Sequence, residues 1–390
     1  MKCNVDIRPL KELADIQTGP FGSQLHKEDY VEVGTPIVTV EHLGNRIFTE
    51  QNLPKVSDGD RKRLEKYLLS TGDIVFSRVG SVDRCSYVDE RHSGWMFSGR
   101  CLRIRPSECI NPLYLYYYFC LEEVRQFVRN IAVGATMPSI NTKLLGEVPV
   151  SVPSIQTQRR IAAILSSLDD KIELNNKINA NLEQQAQAVF TAWFAEAKPS
   201  VSFVSLVRVL GGGTPRTSVA EFWEGEIPFF TPKDVYGVYT LETEKSLTDD
   251  GLAHCNSCLF PINTVFVTAR GTVGKLTLAG RPMAMNQSCY ALLGQEGYGQ
   301  YFIYHLTQRV ITHLKHKANG AVFDAIVTRD FESEFVPDIK PSEAANFELK
   351  VKPLYEAILH NYEENSRLSA LRDMLLPRLI SDDLLPLEFQ

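Results

Sequence analysis

Three groups of residues have types and spacings that suggest chemistry. Gly271-Thr272-Val273-Gly274-Lys275 ends like a glycine loop that cradles phosphate. Such a loop needs a further glycine five positions before the second, and a hydroxyl residue after the lysine for Mg²⁺. Ala269 and Leu276 stand at those places, so the pattern fails twice. Pro337-Asp338 followed by Glu348-Leu349-Lys350 mimics the carboxylate, carboxylate and lysine set that holds Mg²⁺ against a phosphate in metal-dependent nucleases. Here the last three residues fall at the opening of a helical pattern rather than on a strand. Cys255 and Cys258, beside His254, form a lone C-x-x-C with no second ligand pair at zinc-ribbon spacing. The eight cysteines are otherwise scattered, which suits structural thiols in a reducing compartment.

The elements that must carry any site are organised around residues 159–194. Ile161, Leu165, Leu168, Ile172, Leu182, Ala186, Val189 and Trp193 fall in alternating steps of four and three once Asn175 and Asn179 are counted in register. That is a heptad seam, narrower than the stripe of an ordinary core helix, and it requires a partner helix. The partner lies in the same chain: Asn361, Asn365 and Leu368 stand 186 residues after Asn175, Asn179 and Leu182, and the same shift carries Leu165, Leu168 and Ile172 onto Val351, Leu354 and Ile358. The four asparagines are expected to form a polar layer fixing the helix register, because a slipped alignment would leave an amide unpaired among apolar side chains. The second helix is expected to end near Pro377, where a helix interior would kink. An exposed seam end at Trp193 and Phe194 predicts a chain that leans on partners for stability.

The rest of the chain repeats as well. Short apolar runs bounded by Gly, Pro and Asp, such as Pro36-Ile37-Val38-Thr39-Val40 and Ile74-Val75-Phe76-Ser77, predict strands in the first half. Residues 112–131 predict an aromatic helix opened by Pro112. In the second half Leu206-Val207-Arg208-Val209-Leu210, Thr264-Val265-Phe266-Val267, a helix over 298–317 and Gly320-Ala321 follow in the same order. The offset drifts from 193 at Leu13 and Leu206 to 186 at Gly134 and Gly320, as insertions between shared elements would produce. Framework positions match while loops differ, so two copies of one scaffold carry two different surfaces. The chain has 390 residues, 44% of them hydrophobic and 23% charged, with a net charge of −6. It is long enough for several cores, and its net charge disfavours nonspecific coating of nucleic acid without excluding a basic groove. No apolar run is long enough to span a bilayer and the N-terminal residues lack an export segment, so a cytoplasmic location is expected.

These residues resemble the specificity subunit of type I restriction-modification systems. The resemblance rests on Gly212-Gly213-Thr214-Pro215, Phe222-Trp223, Gly225, Ile227-Pro228-Phe229, Lys233-Asp234 and Asn286-Gln287 in the second copy. In the first copy it rests on residues 153–162, followed by Leu165 and Leu168-Asp169, with Thr157 where the family usually has Glu. It implies an α+β fold in which two similar α/β target recognition domains are joined by two long helices forming an antiparallel coiled coil, a tandem repeat with a pseudo-two-fold axis. The implied segments are a first recognition domain over 1–154, a central helix over 155–198, a second recognition domain over 199–342, a C-terminal helix over 343–381 and a tail over 382–390. Each recognition domain would read one half of a bipartite, asymmetric site in double-stranded DNA, and the coiled coil would set the spacing and dock two methylation subunits. Restriction subunits would join through the methylation subunits. S-adenosylmethionine, ATP and Mg²⁺ would belong to those partners, with no cofactor, no metal and no catalysis in this chain. No Asn or Asp precedes Pro-Pro and an aromatic residue, so an adenine methyltransferase site must lie elsewhere. The alternative is a stand-alone metal-dependent nuclease or a type II-like fused enzyme fragment.

If the chain reads DNA, it needs side chains that bond two edge atoms of one base: Arg for guanine, Asn or Gln for adenine. Arg78, Ser81 and Arg84 surround a glycine turn after a strand, and Arg270, Thr272 and Lys275 hold the corresponding place in the second copy. Asn286 and Gln287 are the next candidates. Lys27 with His26, Thr214, Arg216, Thr231, Lys233, and Thr136 and Asn141 in the turn over 136–141 complete the set; most such groups would hold phosphates and fix position only. Arg100, Arg103 and Arg105 alternate along a strand and share one face, either solvated or a phosphate track.

Overall fold

A computed structural model describes residues 6–22, 24–134, 136–194, 196–317 and 325–381. The Gly320-Ala321 match, the tail over 382–390 and the side chain of Lys27 lie outside what is described. The chain divides into two units, one of Met1–Lys171 with Leu368–Gln390 and one of Ile172–Arg367.

In the first unit the antiparallel strands Ala14–Thr18, Cys101–Pro106, Ile74–Ser77 and Cys85–Tyr87 lie in that order across one sheet. Ile74–Ser77 is central and buried along its whole length, which is why its sequence is a continuous apolar run rather than an alternating one. A second sheet has the order Tyr30–Val31, Lys55–Val56, Thr35–Val38 and Met96–Phe97, with its last pair parallel. Asp6–Pro9 and Pro149–Val152 pair outside both.

The second unit repeats this plan internally. Val207–Gly211, Cys289–Gly294, Val265–Thr268 and Leu276–Ala279 form the corresponding antiparallel order, extended by Tyr239–Thr240. The smaller sheet again contains a parallel pair, Phe229 and Phe230 beside Ala284 and Met285, matching Ile37 and Val38 beside Met96 and Phe97. Pro199–Ser202 and Phe335–Pro337 repeat the outer pair.

The aromatic helix differs between copies. In the first it splits into Pro112–Cys120 and Glu122–Ile131, because Leu121 adopts extended backbone, while in the second Gln300–Lys317 is unbroken. The split absorbs two residues that the second copy lacks: the shift is 188 from Tyr117 to His305 but 186 from Ile140 to Ile326.

The two long helices are Ile155–Phe194 and Pro341–Ile380, each of 40 residues, or ~60 Å at 1.5 Å per residue. Ser154 caps the first through the Thr157 amide at 3.2 Å, and the two hydroxyls meet at 2.9 Å, so Thr157 preserves a shortened version of the usual reciprocal cap. Pro341 opens the second, and the Glu343 carboxylate accepts from the Lys340 amide at 3.1 Å. This helix ends close to Pro377, as the sequence leads one to expect, running three residues further to Ile380. The burial of Leu376 and Leu379 in the first unit's core holds its last turn. Trp193 is 48% exposed, but Phe194 is only 5% exposed and packs on Phe190, Phe302 and Phe347, so the expected exposed seam end is only its tryptophan.

Candidate nucleic-acid interface

In the first unit the turn after Ile74–Ser77 is tied to two neighbouring loops. The Arg78 amide donates to the Arg100 carbonyl at 2.9 Å, the Ile140 amide to the Arg78 carbonyl at 2.9 Å, and the Gly80 amide to the Pro138 carbonyl at 2.9 Å. Gly80 has φ +81°, which only glycine adopts without strain. This brings Arg78, Ser81, Arg84 and the turn holding Thr136 together. Arg78 is half-buried: its guanidinium donates to the Gly99 carbonyl at 3.0 Å and lies 5.4 Å from the centre of the Phe21 ring. Arg84 donates to the Leu43 carbonyl, while Ser81 and Thr136 are exposed. Asn141 caps the helix Thr142–Gly146 through the Leu144 amide at 2.9 Å. Lys27 opens the short turn Lys27–Asp29, with which His26 shares a backbone bond to the Asp29 carboxylate.

In the second unit the candidates converge more fully. The Ala269 amide donates to the Ser288 carbonyl at 2.8 Å, the Asn286 amide to the Phe230 carbonyl at 2.9 Å, and the Thr272 hydroxyl to the Pro232 carbonyl at 3.2 Å. Thr214 donates to the side chain of Gln287. Thr214, Arg216, Lys233, Arg270, Thr272, Lys275 and Gln287 are exposed. Lys233 lies 3.6 Å from Glu244 in a solvated pair, and among the described residues Arg216, Arg270 and Lys275 have no carboxylate partner. Two candidates serve the framework. Thr231 gives its amide and hydroxyl to buried Asp234, both at 2.7 Å, repeating the cap of Thr39 on His42. Asn286 accepts from the Ser288 amide at 3.0 Å, which shapes the loop.

The repeated backbone bonds align the two turns residue by residue. Ala269 takes the bonds of Arg78, and Lys275 that of Arg84, since the Ser77 amide donates to Arg84 as the Thr268 amide does to Lys275. Arg270 therefore falls on Val79; both make an isolated bridge, to Ala325 and Ser139 respectively. The two arginines are one residue out of step along extended backbone, so only Arg84 and Lys275 are a conserved cationic position between copies.

Arg103 and Arg105 belong to neither a solvated face nor a phosphate track. Arg103 is 4% exposed and donates to Asp15 at 2.6 Å; Arg105 grips buried Asp73 with two bonds of 2.7 and 2.6 Å. Arg100 alone stays exposed. Sequence reasoning overlooked Phe21, 54% exposed beneath Arg78, and Met137, 65% exposed beside Thr136. The signal for Phe21 was its place between Pro20 and Gly22, where a turn leaves an aromatic side chain in solvent.

Each domain is anchored to its helices by a buried polar group at the same place in the fold. In the first unit Tyr117 donates to Asp169 at 2.6 Å and Arg372 donates to Asp169 at 2.7 Å. Burial and the Asp169 charge push the Tyr117 hydroxyl far above its usual range. In the second, His305 bonds Gln187 at 2.8 Å and Tyr355 at 2.8 Å; burial pulls its pKa down to about 4. His305 corresponds to Tyr117, and Tyr355 stands 186 residues after Asp169. Glu348, part of the nuclease-like set, is on the C-terminal helix and accepts from the Tyr301 and Phe302 amides at 3.2 and 2.9 Å, capping Gln300–Lys317. Among the described residues no group of three or more His, Cys, Asp or Glu side chains could hold a metal ion, and no helix is long and apolar enough to cross a membrane.

The family model described as type I restriction modification DNA specificity domain matches residues 3–184 and 202–337. The chain belongs to that family. As a specificity chain it is 24% identical to the type I restriction enzyme HindI specificity subunit of Haemophilus influenzae, over 82% of this chain and 88% of that one. It is 23% identical to the MjaIX specificity subunit of Methanocaldococcus jannaschii, over 97% and 93%. The crystal structure of the type I S subunit from M. genitalium shares the fold of the specificity chain, with a TM-score of 0.56, 15% identity and 97% of each chain covered. The matched region occurs twice in tandem, in step with the repeated sheet order, and the family's role is DNA recognition without catalysis.

Proposed function

We propose that the recognition domain in each unit reads one half of a bipartite, asymmetric site in double-stranded DNA, and that the helix pair sets the gap between the halves and docks two methylation subunits. The observation that carries this reading is the repetition of one sheet topology with dissimilar loops at the same end of the sheet. A duplicated framework with unlike tips suits two unlike half-sites. In this reading the recognition domains cover 1–154 and 199–342, and the helices cover 155–198 and 343–381. Arg270, Lys275, Thr272, Gln287 and Thr214 face the second half-site; Arg78, Arg84, Ser81 and Thr136 face the first, with Arg78 braced by Gly99 and Phe21. Arg216, Lys233 and Lys27 hold phosphates. Thr231, Asn141 and Asn286 act by shaping the loops that present the others.

Restriction subunits join through the methylation subunits, which bind S-adenosylmethionine; ATP and Mg²⁺ serve the restriction subunits. The chain works in the cytoplasm with those partners. Methylome sequencing of a host carrying the complete system tests the reading: one split motif with two unrelated halves is expected. A single contiguous motif, or cleavage of plasmid by this chain with Mg²⁺ alone, would overturn it in favour of a stand-alone nuclease.

A further inference from the structure

Each unit holds a groove between its domain helix and the end of a long helix, and the two grooves are related by the internal repeat. The first, of about 500 Å³, lies between Tyr117–Glu123 and Arg372–Pro377; the second, of about 750 Å³, lies between 305–316 and Gln187–Phe194. At the 186-residue shift Glu123 falls on Arg309 and Asp373 on Gln187. The linings differ in charge. Glu122, Glu123, Asp169 and Asp373 line the first together with Arg125 and Arg372; Arg372 is paired with Asp169 and Asp373, and nearby Arg129 with Asp83 and Glu122. The described lining of the second contains no carboxylate; Arg309, His313, Lys315 and His316 line it together with hydroxyl and amide groups.

We propose that the groove of the second unit seats the phosphate backbone of DNA flanking the half-site that this unit reads, an inference that rests on the recognition function above. Three observations converge. Among the described residues Arg309, Lys315 and His316 have no carboxylate partner; Glu334 is occupied by His313 at 2.5 Å and Lys317 at 2.6 Å. Lys315 donates to the Gly274 carbonyl at 3.0 Å, so the groove runs into the turn that presents Arg270, Thr272 and Lys275. Cations in the last helical turn suit its exposed carbonyls; Arg309, two turns earlier, donates to the Phe194 carbonyl at 3.2 Å at the end of the long helix, which uses one of its five N–H donors. A polyanion suits the set as a whole: a phosphate track needs spaced cations with no competing acid, on a surface continuous with the base-reading loops. The groove of the first unit sets carboxylates beside its two arginines and does not meet that condition, so the flanking contact belongs to one half-site only.

The test uses the full chain in complex with its methylation subunits and two duplexes, one carrying the methylated motif of the host and one scrambled. The double variant Lys315→Gln with His316→Gln and the single variant Arg309→Gln are compared with the unaltered complex by anisotropy titration across salt. The expected result is a fall in affinity of roughly 3- to 10-fold on both duplexes alike, with the slope of log K against log salt shallower by ~0.9 for each phosphate contact removed. An unaltered slope in variants that melt normally overturns the proposal while the recognition reading stands. Loss on the motif duplex alone also overturns it, since a base contact would then be present. So does loss of the methylation subunits from the complex on size exclusion with DNA affinity per assembled complex unchanged, which would make the groove a protein dock. Failure of the unaltered complex to prefer its motif over the scrambled duplex would instead sink the recognition reading itself.

Discussion

Asn175 donates its side-chain amide to Asn365 at 2.9 Å across the helix pair. The internal repeat carries that bond onto a second one of the same sense, from Asn361 to Asn179 at 2.8 Å. The two bonds exchange under the 186-residue shift, and Asn175 also donates to Glu364 at 2.7 Å. Yet the layer is incompletely satisfied: Asn175 Oδ1 and Asn179 Nδ2 are buried without a protein partner among the described residues. Each such atom costs ~1–3 kcal/mol. Replacing all four asparagines by leucine should therefore raise stability by on the order of 2 kcal/mol, seen as a higher melting temperature. The same variant should blur the methylated motif by admitting altered gaps. Asn365→Leu alone should instead destabilise by ~1 kcal/mol, because Asn175 keeps its amide and loses an acceptor. A large loss of stability in the quadruple variant would show that the layer is not a register device.

The anchor of the first unit behaves differently because it is charged. Asp169 is 7% exposed and accepts from both Tyr117 and Arg372. Asp169→Leu should destabilise the first unit by ~1–3 kcal/mol, since the Tyr117 hydroxyl loses its buried acceptor and half-buried Arg372 keeps only its pair with exposed Asp373. Adding Arg372→Met should recover part of that loss, because removal of the whole ion pair is tolerated far better than removal of half. Urea unfolding of the single and double variants checks both signs.

In the second unit the anchor is neutral and therefore acid-sensitive. His305 has its pKa lowered to about 4 from 6.5 by burial. The unfolded chain takes up a proton as pH falls below 6.5 while the folded chain does not, so stability present above pH 6.5 is lost progressively down to about pH 4. The loss amounts to on the order of 3 kcal/mol. His305→Gln should remove this portion of the pH dependence, read from urea midpoints between pH 7 and pH 4. Matching slopes in the two proteins would assign the acid sensitivity to other groups.

The periodic parts of the structure were legible in the sequence because periodicity is a local signal. Heptads, the duplication and the strand cores need only spacing and residue type. What stayed hidden depends on distant partners. Arg103 and Arg105 have the look of a cationic face until Asp15, on a neighbouring strand, and Asp73, just before another, meet them. Leu121 carries no Gly or Pro signal for the break in the first aromatic helix, whereas Pro377 marks the end of the second long helix to within three residues. The candidate interface was half visible: the glycine turns were evident, but the one-residue offset between Arg78 and Arg270 emerges only from the bonds that their neighbours make.

That offset bears on specificity. Arg270 is exposed and among the described residues has no carboxylate partner, whereas Arg78 is spent on Gly99 and Phe21. Arg270→Ala should relax the second half-site at one position, at a cost of ~1–3 kcal/mol for the preferred base. Competition titrations against duplexes altered one base pair at a time measure it. Uniform weakening at every sequence would make Arg270 a phosphate contact instead.

The helix pair supplies the last prediction, because its length is the quantity that the proposed function uses. Inserting one heptad into each long helix at facing positions preserves the a and d seam on both sides, so folding should survive. Seven residues add ~10 Å at 1.5 Å each, equivalent to about 3 base pairs at 3.4 Å. The duplex also turns by roughly 100° over that distance, given ~10.5 base pairs per turn. The second half-site would thus be offered at the right distance but on a rotated face, and affinity should fall even where the motif is recognised. The methylated motif should nevertheless keep both of its halves, with the gap between them lengthened by about 3 base pairs. Insertion in one helix alone shifts the Asn175–Asn365 pairing out of line and should abolish binding rather than lengthen the gap. Methylome sequencing of hosts carrying each version distinguishes these outcomes, and an unchanged gap after the paired insertion would rule out the helices as the spacer.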